Sequence, residues 1–297
     1  MKTMPPAKRV LTLTVRPEWE GRTVKSLLRS ELHMTDSLIA RVKLRETGLC
    51  RNGERCRTVD RVRAGDVLAA EVGDGPEEKN TALPIAVPLK IVYEDEDLAV
   101  IDKAPGMVVH GVSGGAPTLA NALAALWGEE QPFHPVHRLD RGTSGLLVAA
   151  KSAYIQERLR RMLHTEDFRR EYLAVVNGVM EMETGIVDLP IGRDPSHPTR
   201  RRIDPGGQAA RTEYAVEKRL PGATVLRVRP LTGRTHQIRV HMAALGHPLV
   251  GDVLYGGGEG LERPALHSAG MRLRHPVTGE WMELAAPLPE DMGRLLI

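Results

Sequence analysis

Aromatic residues make up only 3% of this 297-residue sequence, and their scarcity excludes one class of nucleic-acid-binding protein. Proteins that hold single strands by stacking successive bases need several aromatic side chains on one surface. Long apolar runs are missing too, since none approaches the roughly 18 residues that a membrane-spanning helix requires. We therefore expect no membrane partner. The hydrophobic share of 41% is enough for a sizeable core.

Cysteine is nearly absent as well. Two residues, Cys50 and Cys56, cannot form a disulfide framework, and their spacing is not that of a zinc site. We expect reduced thiols in a reducing cytoplasm. The first six residues lack the apolar core of a signal peptide, which agrees with that expectation.

The net charge of +3 is too small to indicate a nucleic-acid partner, but it is unevenly distributed. Residues 1–70 carry 15 basic and 8 acidic residues, a net charge of +7, whereas the rest carries 26 and 30, a net charge of −4. The length suggests about two domains, so this asymmetry favours a basic binding module joined to a second unit. An ordinary solvated basic surface is the alternative that charge alone leaves open.

Three parts are expected along the chain: a first domain over 1–72, a linker over 73–87 and a second domain over 88–297. The linker is rich in polar residues, glycine and proline. Within the first domain the patterns predict the following elements: a strand over 11–16, helices over 23–32 and 35–43 with Thr35 as the second N-cap, and a hairpin turn at Asn52-Gly53.

The second domain mixes strands with helices. The patterns predict strands over 89–93, 98–102, 172–177, 214–218 and 224–230, and helices over 118–126 and 152–164, the latter capped by Ser152. This mixture predicts an α+β fold with a large, mainly antiparallel sheet.

The densest polar segment is His-Arg-Leu-Asp-Arg-Gly-Thr-Ser-Gly at residues 137–145, followed by the apolar run 146–150. In extended geometry Arg138 and Asp140 share one face, and His137 and Leu139 share the other. Nearby cations would keep Asp140 ionised, so that it could act as nucleophile or base. A structural turn with an adjacent salt bridge is the competing interpretation.

A metal site in this region is not expected. His134, His137 and Asp140 are three residues apart, and odd spacing on a strand sends side chains to opposite faces. Pro135 works against a helix that could align them.

A second polar segment spans residues 232–246. Thr235 as N-cap and Gly246 just beyond the end predict a short helix over 236–245. Its amino end, beside Arg234, would suit a carboxylate or a phosphate. His236 and His241 are interpreted first as hydrogen-bonding residues of the fold.

Two further basic segments allow two interpretations each. Residues 169–174 lead into a strand in which Tyr172 is either an ordinary core residue or part of a site. Residues 200–202 are three consecutive arginines, which could hold phosphates or form a solvated loop.

Four ordered motifs, at residues 97–110, 137–151, 170–174 and 233–252, together resemble the RluA-type RNA pseudouridine synthases, and in particular the ribosomal RNA enzymes that carry an N-terminal S4-like domain. The resemblance covers about residues 88–290. It implies a long mixed sheet with flanking helices and a central RNA cleft, preceded by a small S4-like α/β domain. It implies no metal and no organic cofactor.

The resemblance also implies roles. Asp140 would be the catalytic aspartate, Tyr172 would stack on the target base and assist proton removal, and Arg239 would pair with Asp140. Arg138 would help to fill the gap left by a flipped uridine. The residues expected to contact RNA are Arg138, Arg234, His236, Gln237, Arg41, Lys43, Arg45 and Arg51.

The S4-like segment departs from its family more than the rest. Arg22-Thr23-Val24 replaces the usual Arg-Leu-Asp, and Thr35-Asp36-Ser37 stands where Ser-Arg is usual. RNA binding by this segment is still expected.

We therefore predict that the chain isomerises uridine to pseudouridine in structured RNA, with 23S ribosomal RNA as the expected target and a monomer as the expected state. Transfer RNA is the alternative target. A catalytically silent RNA-binding protein and a nucleoside or glycoside hydrolase are the rival functions. Attack of Asp140 on the sugar C1′ and abstraction of a sugar proton both remain open.

Overall fold

The computed structural model describes residues 9–74, 80–111, 115–128 and 130–296. The expectation about the first six residues and the middle of the expected linker, 75–79, lie outside the described residues. The helices are α1 Val24–Ser30, α2 Asp36–Val42, α3 Leu119–Trp127, α4 Ala153–Met162, α5 Gln237–Ala244 and α6 Glu290–Gly293. The first eight strands are β1 Val10–Thr14, β2 Leu49–Arg51, β3 Glu54–Arg55, β4 Val67–Glu71, β5 Lys90–Glu94, β6 Leu98–Lys103, β7 His134–Pro135 and β8 Ser144–Ala150. The last eight are β9 Phe168–Asn177, β10 Thr184–Asp188, β11 Ile191–Arg193, β12 Arg201–Ile203, β13 Arg211–Leu220, β14 Ala223–Pro230, β15 Leu266–Arg274 and β16 Trp281–Ala285.

The N-terminal residues form a four-stranded antiparallel sheet in the order β1-β4-β2-β3, with α1 and α2 packed beside it. The alternation expected near residue 11 is confirmed, because Leu11 and Leu13 turn inward and Thr12 is exposed. The Thr35 hydroxyl accepts a hydrogen bond from Leu38 N at 3.2 Å, so the predicted N-cap is also confirmed. Local capping chemistry thus sets the start of α2.

The predicted hairpin turn between β2 and β3 is confirmed. Asn52 and Gly53 both have positive φ, 53° and 84°, as a two-residue turn with the right twist requires. The Asn52 side chain adds a link to β4, donating to Asp66 Oδ1 at 2.8 Å and accepting from Val67 N at 2.8 Å.

A second, ten-stranded sheet runs in the order β10-β13-β14-β9-β15-β8-β6-β5, with β16 paired to β15 and β7 paired to β8. Among the described residues its strands pair antiparallel, except β15 with β8, which pair in parallel. The predicted α+β class with a large, mainly antiparallel sheet is confirmed. The expected strands lie within or near β5, β6, β9, β13 and β14.

The two faces of this sheet contact different partners. Along β6 and β8 alternate residues belong to two separate hydrophobic clusters, as period-two side-chain geometry requires. One cluster joins the sheet to α4 and to the core of the N-terminal unit. The other packs α3 and α5 against the opposite face. Among the described residues no helix has both the length and the apolar character needed to span a bilayer.

Polar contacts also join the N-terminal unit to the larger one. Arg9 forms an ion pair with Asp97 at 2.8 Å. On α4, Arg161 Nη1 donates to His33 O at 2.6 Å, and Glu157 accepts from the Thr35 hydroxyl. Helix α4 is therefore in contact with both units.

Removal of side-chain volume from strand β8 should destabilise the fold. Leu147 is fully buried there, so Leu147→Ala should lower the free energy of unfolding by about 2–5 kcal/mol through lost transfer energy and a residual cavity. The control Ile186→Ala, at a side chain that is 55% exposed, should cost about 0.5 kcal/mol or less. Urea unfolding measures both. Equal losses would mean that β8 does not lie in the core.

Candidate active site

Asp140 lies in the loop between β7 and β8. His137 and Leu139 are buried, whereas Arg138 is exposed and Asp140 is half-buried, as the expected alternation requires. The Asp140 carbonyl accepts from Thr143 N at 3.0 Å, which closes a turn directly before β8. The loop thus presents the carboxylate while its apolar face is anchored beneath.

His137 fixes this loop to the sheet. Its Nε2 accepts from Val148 N at 3.3 Å. Complete burial, reinforced by the charge of Arg170, lowers the pKa of His137 to about 3. The imidazole is therefore neutral at any working pH, which suits an anchor better than a proton donor.

Arg239, from α5, is shared between two carboxylates. Its Nε and Nη2 form a bidentate pair with Asp252 at 2.6 and 2.7 Å, and its Nη1 lies 3.5 Å from Asp140 Oδ2. Burial alone would lower the pKa of Arg239, but hydrogen bonds and charge from Asp252 outweigh it and raise that pKa. The motif at residues 233–252 includes Asp252 but indicates no role for it. In the structure Asp252 aims Arg239 at Asp140.

The start of α5 corrects the sequence prediction. His236, not Thr235, is the N-cap, and it has a left-handed backbone with φ 58° and no side-chain cap. Gln237, the first residue of α5, instead holds the preceding turn, because its Oε1 accepts from Arg234 N at 3.0 Å and from the Thr232 hydroxyl at 2.7 Å. The other end is as predicted, with Gly246 at φ 83° just past the helix.

The left-handed turn directs the His236 ring into the site. Its Nδ1 lies 2.9 Å from the Tyr255 hydroxyl, and its Nε2 lies 4.0 Å from Asp140 Oδ2. Burial lowers the pKa of His236, although the Asp140 charge opposes this. Tyr255, which the sequence motifs do not identify, has its ring 5.0 Å from the Arg239 guanidinium carbon. The feature of the sequence that could have pointed to Tyr255 is its position, three residues after Asp252.

Tyr172 lies on β9, paired with Val228 of β14 on one side and Ser268 of β15 on the other. It is only 5% exposed. Burial raises the pKa of its phenol, opposed in part by the charge of Arg170. The hydroxyl therefore stays protonated near neutral pH.

Lys103, at the end of β6, is a second buried cation that sequence analysis did not single out. Its ammonium donates to Ala104 O at 2.9 Å, Met107 O at 3.0 Å and Arg141 O at 3.4 Å. Burial lowers its pKa to about 8, although the Asp140 charge opposes the shift. Lys103 thus ties the loop after β6 to the residue after Asp140.

These elements enclose a cleft of about 550 Å³. Asp140 is the only carboxylate among its described lining residues. Five arginines line it with Asp140 and Tyr172, namely Arg138, Arg160, Arg170, Arg234 and Arg239. His236 and Gln237 also line it. Such a cleft is electropositive around one acidic group, which suits a polyanionic ligand.

The four basic residues expected to bind RNA in the N-terminal segment do not line this cleft. Lys43 is exposed and Arg41 is half-buried. Arg45 is half-buried, with Nη1 donating to Glu71 O at 3.1 Å and to Gly73 O. Arg51 donates to Arg61 O at 2.7 Å. The sequence pattern could not show that the backbone carbonyls of Glu71 and Gly73 would accept from Arg45.

The structure does not bring the His134, His137 and Asp140 side chains together. His134 Nε2 instead contacts Asp74 Oδ2 at 2.8 Å. Within the described ranges a metal-compatible trio occurs elsewhere, at Asp95, Asp97 and His275. Its members already face other groups, because His275 Nε2 lies 2.9 Å from Asp95 Oδ2 and Arg9 forms an ion pair with Asp97.

Comparisons with known proteins agree with this geometry. A family model described as RNA pseudouridylate synthase matches residues 97–244, which include Asp140, Tyr172 and Arg239. The ribosomal large subunit pseudouridine synthase D of Vibrio cholerae is 40% identical over 311 residues, covering 97% of this chain and 94% of that protein. This chain belongs to the RNA pseudouridylate synthase family.

Other relatives agree with the assignment. The enzyme is 38% identical to the ribosomal large subunit pseudouridine synthase D of Nitrosomonas europaea, covering 94% of this chain and 80% of the relative. The solved structure titled human RNA pseudouridylate synthase domain containing 1 has a TM-score of 0.57 at 28% identity, covering 67% of this chain and 83% of that one. The family and enzyme class predicted from the four motifs are confirmed.

Lys103 should impose an alkaline limit on the reaction rate. An ammonium offers three donors for its three carbonyl acceptors and a neutral amine only two, so the rate should fall as pH rises through about 8. The effect on stability has the opposite sign. The pKa of Lys103 in the folded state lies below the usual 10.5, so its deprotonation removes the cost of burying the charge. The free energy of unfolding should therefore rise between about pH 8 and 10.5.

The measurement is the single-turnover rate against pH for the wild type, Lys103→Met and the control Lys90→Met, whose exposed ammonium pairs with Asp102. The Lys103 variant should be slower and lose the alkaline decline, and the Lys90 variant should keep the wild-type profile. A wild-type rate that is flat through pH 8 would contradict the assignment.

Proposed function

We propose that this enzyme converts uridine to pseudouridine in RNA of the large ribosomal subunit. The observation that carries the proposal is a single carboxylate, Asp140, that faces Arg239 in the cleft, where the other described lining residues are cationic, neutral polar or apolar. The ribosomal target is supported by the printed names of the Vibrio and Nitrosomonas relatives.

The single carboxylate favours isomerisation over hydrolysis. Glycosidases generally use two carboxyl groups, one to activate water or attack and one to protonate the leaving group. Asp140 has no carboxylate partner among the described residues that line the cleft. A base that is detached but still held in the cleft can rejoin the sugar through C5.

Asp140 initiates the reaction either by attacking the sugar C1′ or by abstracting a sugar proton. Both routes require an ionised, oriented carboxylate. The geometry supports this role, because Arg239 Nη1 lies 3.5 Å from Oδ2 and is itself held by Asp252. The arginine thus supplies a fixed positive charge without having to reorganise during the reaction.

Tyr172 is assigned to packing against the target base. Its buried ring supplies a flat apolar surface, and its raised pKa keeps the phenol neutral. A neutral phenol is a weak base, so this environment supports the stacking part of the expected role better than direct removal of the C5 proton.

Extrusion of a base from a helix costs a few kcal/mol, which contacts in the cleft must offset. Arg138 is exposed beside Asp140, so it is placed to occupy the gap left by the uridine. Arg234 and His236 are assigned to RNA contacts at the amino end of α5. Gln237 is assigned to the fold instead, since its amide nitrogen donates to Arg211 O and to the Thr212 hydroxyl, both within 3.0 Å.

The N-terminal unit is proposed as an S4-like RNA-binding module over 1–72, joined by a linker over 73–87 to the catalytic domain over 88–297. Its own four-stranded sheet and its +7 charge over residues 1–70 support this division. Lys43, exposed just past α2, is its best-placed phosphate contact, since Arg41, Arg45 and Arg51 are half-buried.

The proposal includes a monomeric enzyme working in the cytoplasm. Both cysteines are free thiols, as a reducing compartment would leave them. Size-exclusion chromatography with light scattering measures the oligomeric state directly.

Asp140→Asn should abolish isomerisation while leaving RNA binding largely intact, because the amide keeps the shape but cannot attack or accept a proton as a carboxylate does. On RNA tritiated at uridine C5, tritium release and pseudouridine formation should fall at least about 100-fold. The matched control Asp167→Asn, an exposed carboxylate that pairs with Arg274 outside the cleft, should match the wild type.

The products separate the rival functions. Free uracil would indicate hydrolysis, and tight RNA binding without either product would indicate a silent binding protein. Parallel assays on large-subunit ribosomal RNA and on transfer RNA distinguish the two targets. Pseudouridine in transfer RNA alone would overturn the ribosomal assignment but not the reaction.

RNA affinity should fall steeply with salt, and Lys43 should contribute to the slope. Neutralising one phosphate contact in Lys43→Gln should reduce the slope of log affinity against log salt by about 0.7–0.9. Lys90→Gln, which removes a charge paired with Asp102, should leave the slope unchanged. Fluorescence anisotropy at several salt concentrations measures both, and equal slopes would remove Lys43 from the interface.

A further inference from the structure

We infer that Arg263, held by Asp291 of the C-terminal helix α6, is a positioning residue for Asp140. The inference rests on the proposed function. It assigns to two residues outside the reacting groups the task of fixing the loop that presents the carboxylate.

Arg263 connects two segments that are far apart in sequence. Its Nε and Nη2 form a bidentate pair with Asp291 at 2.7 and 2.8 Å. Its Nη1 donates to Gly142 O at 3.1 Å, two residues after Asp140, and to Leu266 O at 3.3 Å. The residue is 9% exposed, so these bonds are largely shielded from water.

The backbone of the Asp140 loop packs closely against residues 263–264. A Cβ added at Gly142 would lie 3.0 Å from Pro264 Cδ and 3.5 Å from Arg263 Cβ, which is tight contact. The loop therefore has little freedom to move toward residues 263–264, and the Gly142 hydrogen bond restrains it from moving away.

The segment also supports the other half of the site. A Cβ added at Gly251 would collide with the carbonyls of Arg263 and Leu261, and Ala265 N donates to Val250 O at 2.9 Å. Gly251 directly precedes Asp252, the residue that orients Arg239. One segment thus sets the positions of Asp140 and of the arginine that faces it.

Asp291 is the element that makes this support depend on α6. The helix has four residues, and Met292 anchors it in a small cluster with Val175, Val250 and Ala265. Hydrogen bonding to Arg263 lowers the pKa of Asp291, so the carboxylate is ionised at neutral pH. Without that charge the guanidinium loses its bidentate partner and its aim at Gly142.

The test compares Asp291→Asn, Asp291→Glu and the control Glu290→Gln, whose exposed carboxylate pairs with Arg294. Single-turnover assays give a rate constant and an amplitude, which reports the active fraction. Asp291→Asn should lower the rate constant about tenfold at full amplitude and unchanged RNA affinity, because small misplacements of reacting groups are costly. Asp291→Glu, which keeps the charge, should recover most of the rate, and Glu290→Gln should match the wild type.

The outcomes separate the inference from the proposed function. A wild-type enzyme without pseudouridine product would refute the function itself. An active wild type with a normal rate constant in Asp291→Asn would overturn the inference. So would a reduced amplitude at an unchanged rate constant, since that pattern marks lost folding alone.

Discussion

The site depends on one shared cation. Arg239 is buried, and a buried guanidinium is tolerated only when it is paired and hydrogen-bonded. Asp252 satisfies that requirement with a bidentate pair, which leaves the Nη1 edge facing Asp140 at 3.5 Å. Because Asp252 is the closer and more buried partner, it carries the structural pairing. Asp140 can then lie near a fixed charge and remain half-exposed to a substrate.

The large sheet brings these groups together from distant parts of the chain. Asp140 precedes β8, Tyr172 lies within β9, and Arg239 follows β14 on α5. Strand β15 pairs with both β8 and β9, so the carboxylate loop and the tyrosine are anchored to one strand. The parallel pairing of β8 with β15 thus places the Asp140 loop beside residues 263–266.

The sequence allowed local features to be predicted and left long-range ones hidden. Alternation placed Arg138 and Asp140 on the open face, and cap and turn chemistry placed Thr35 and Asn52 correctly. Thr235 is not the N-cap because the tertiary contacts of His236 with Tyr255 and of Gln237 with strand β13 override the local preference. Lys103, Asp252 and Arg263 could not be assigned from spacing, since their partners lie 13 to 121 residues away or on backbone carbonyls.

Helix α4 has a consequence for how a target could be chosen. It contacts the N-terminal unit through Glu157 and Arg161, and Arg160, between them, lines the cleft. If the N-terminal unit binds RNA as proposed, α4 sets the span between the bound RNA element and the reacting carboxylate. The enzyme would then select a uridine by its distance from a structural landmark in the folded RNA, as a ruler does, and not by the neighbouring bases alone.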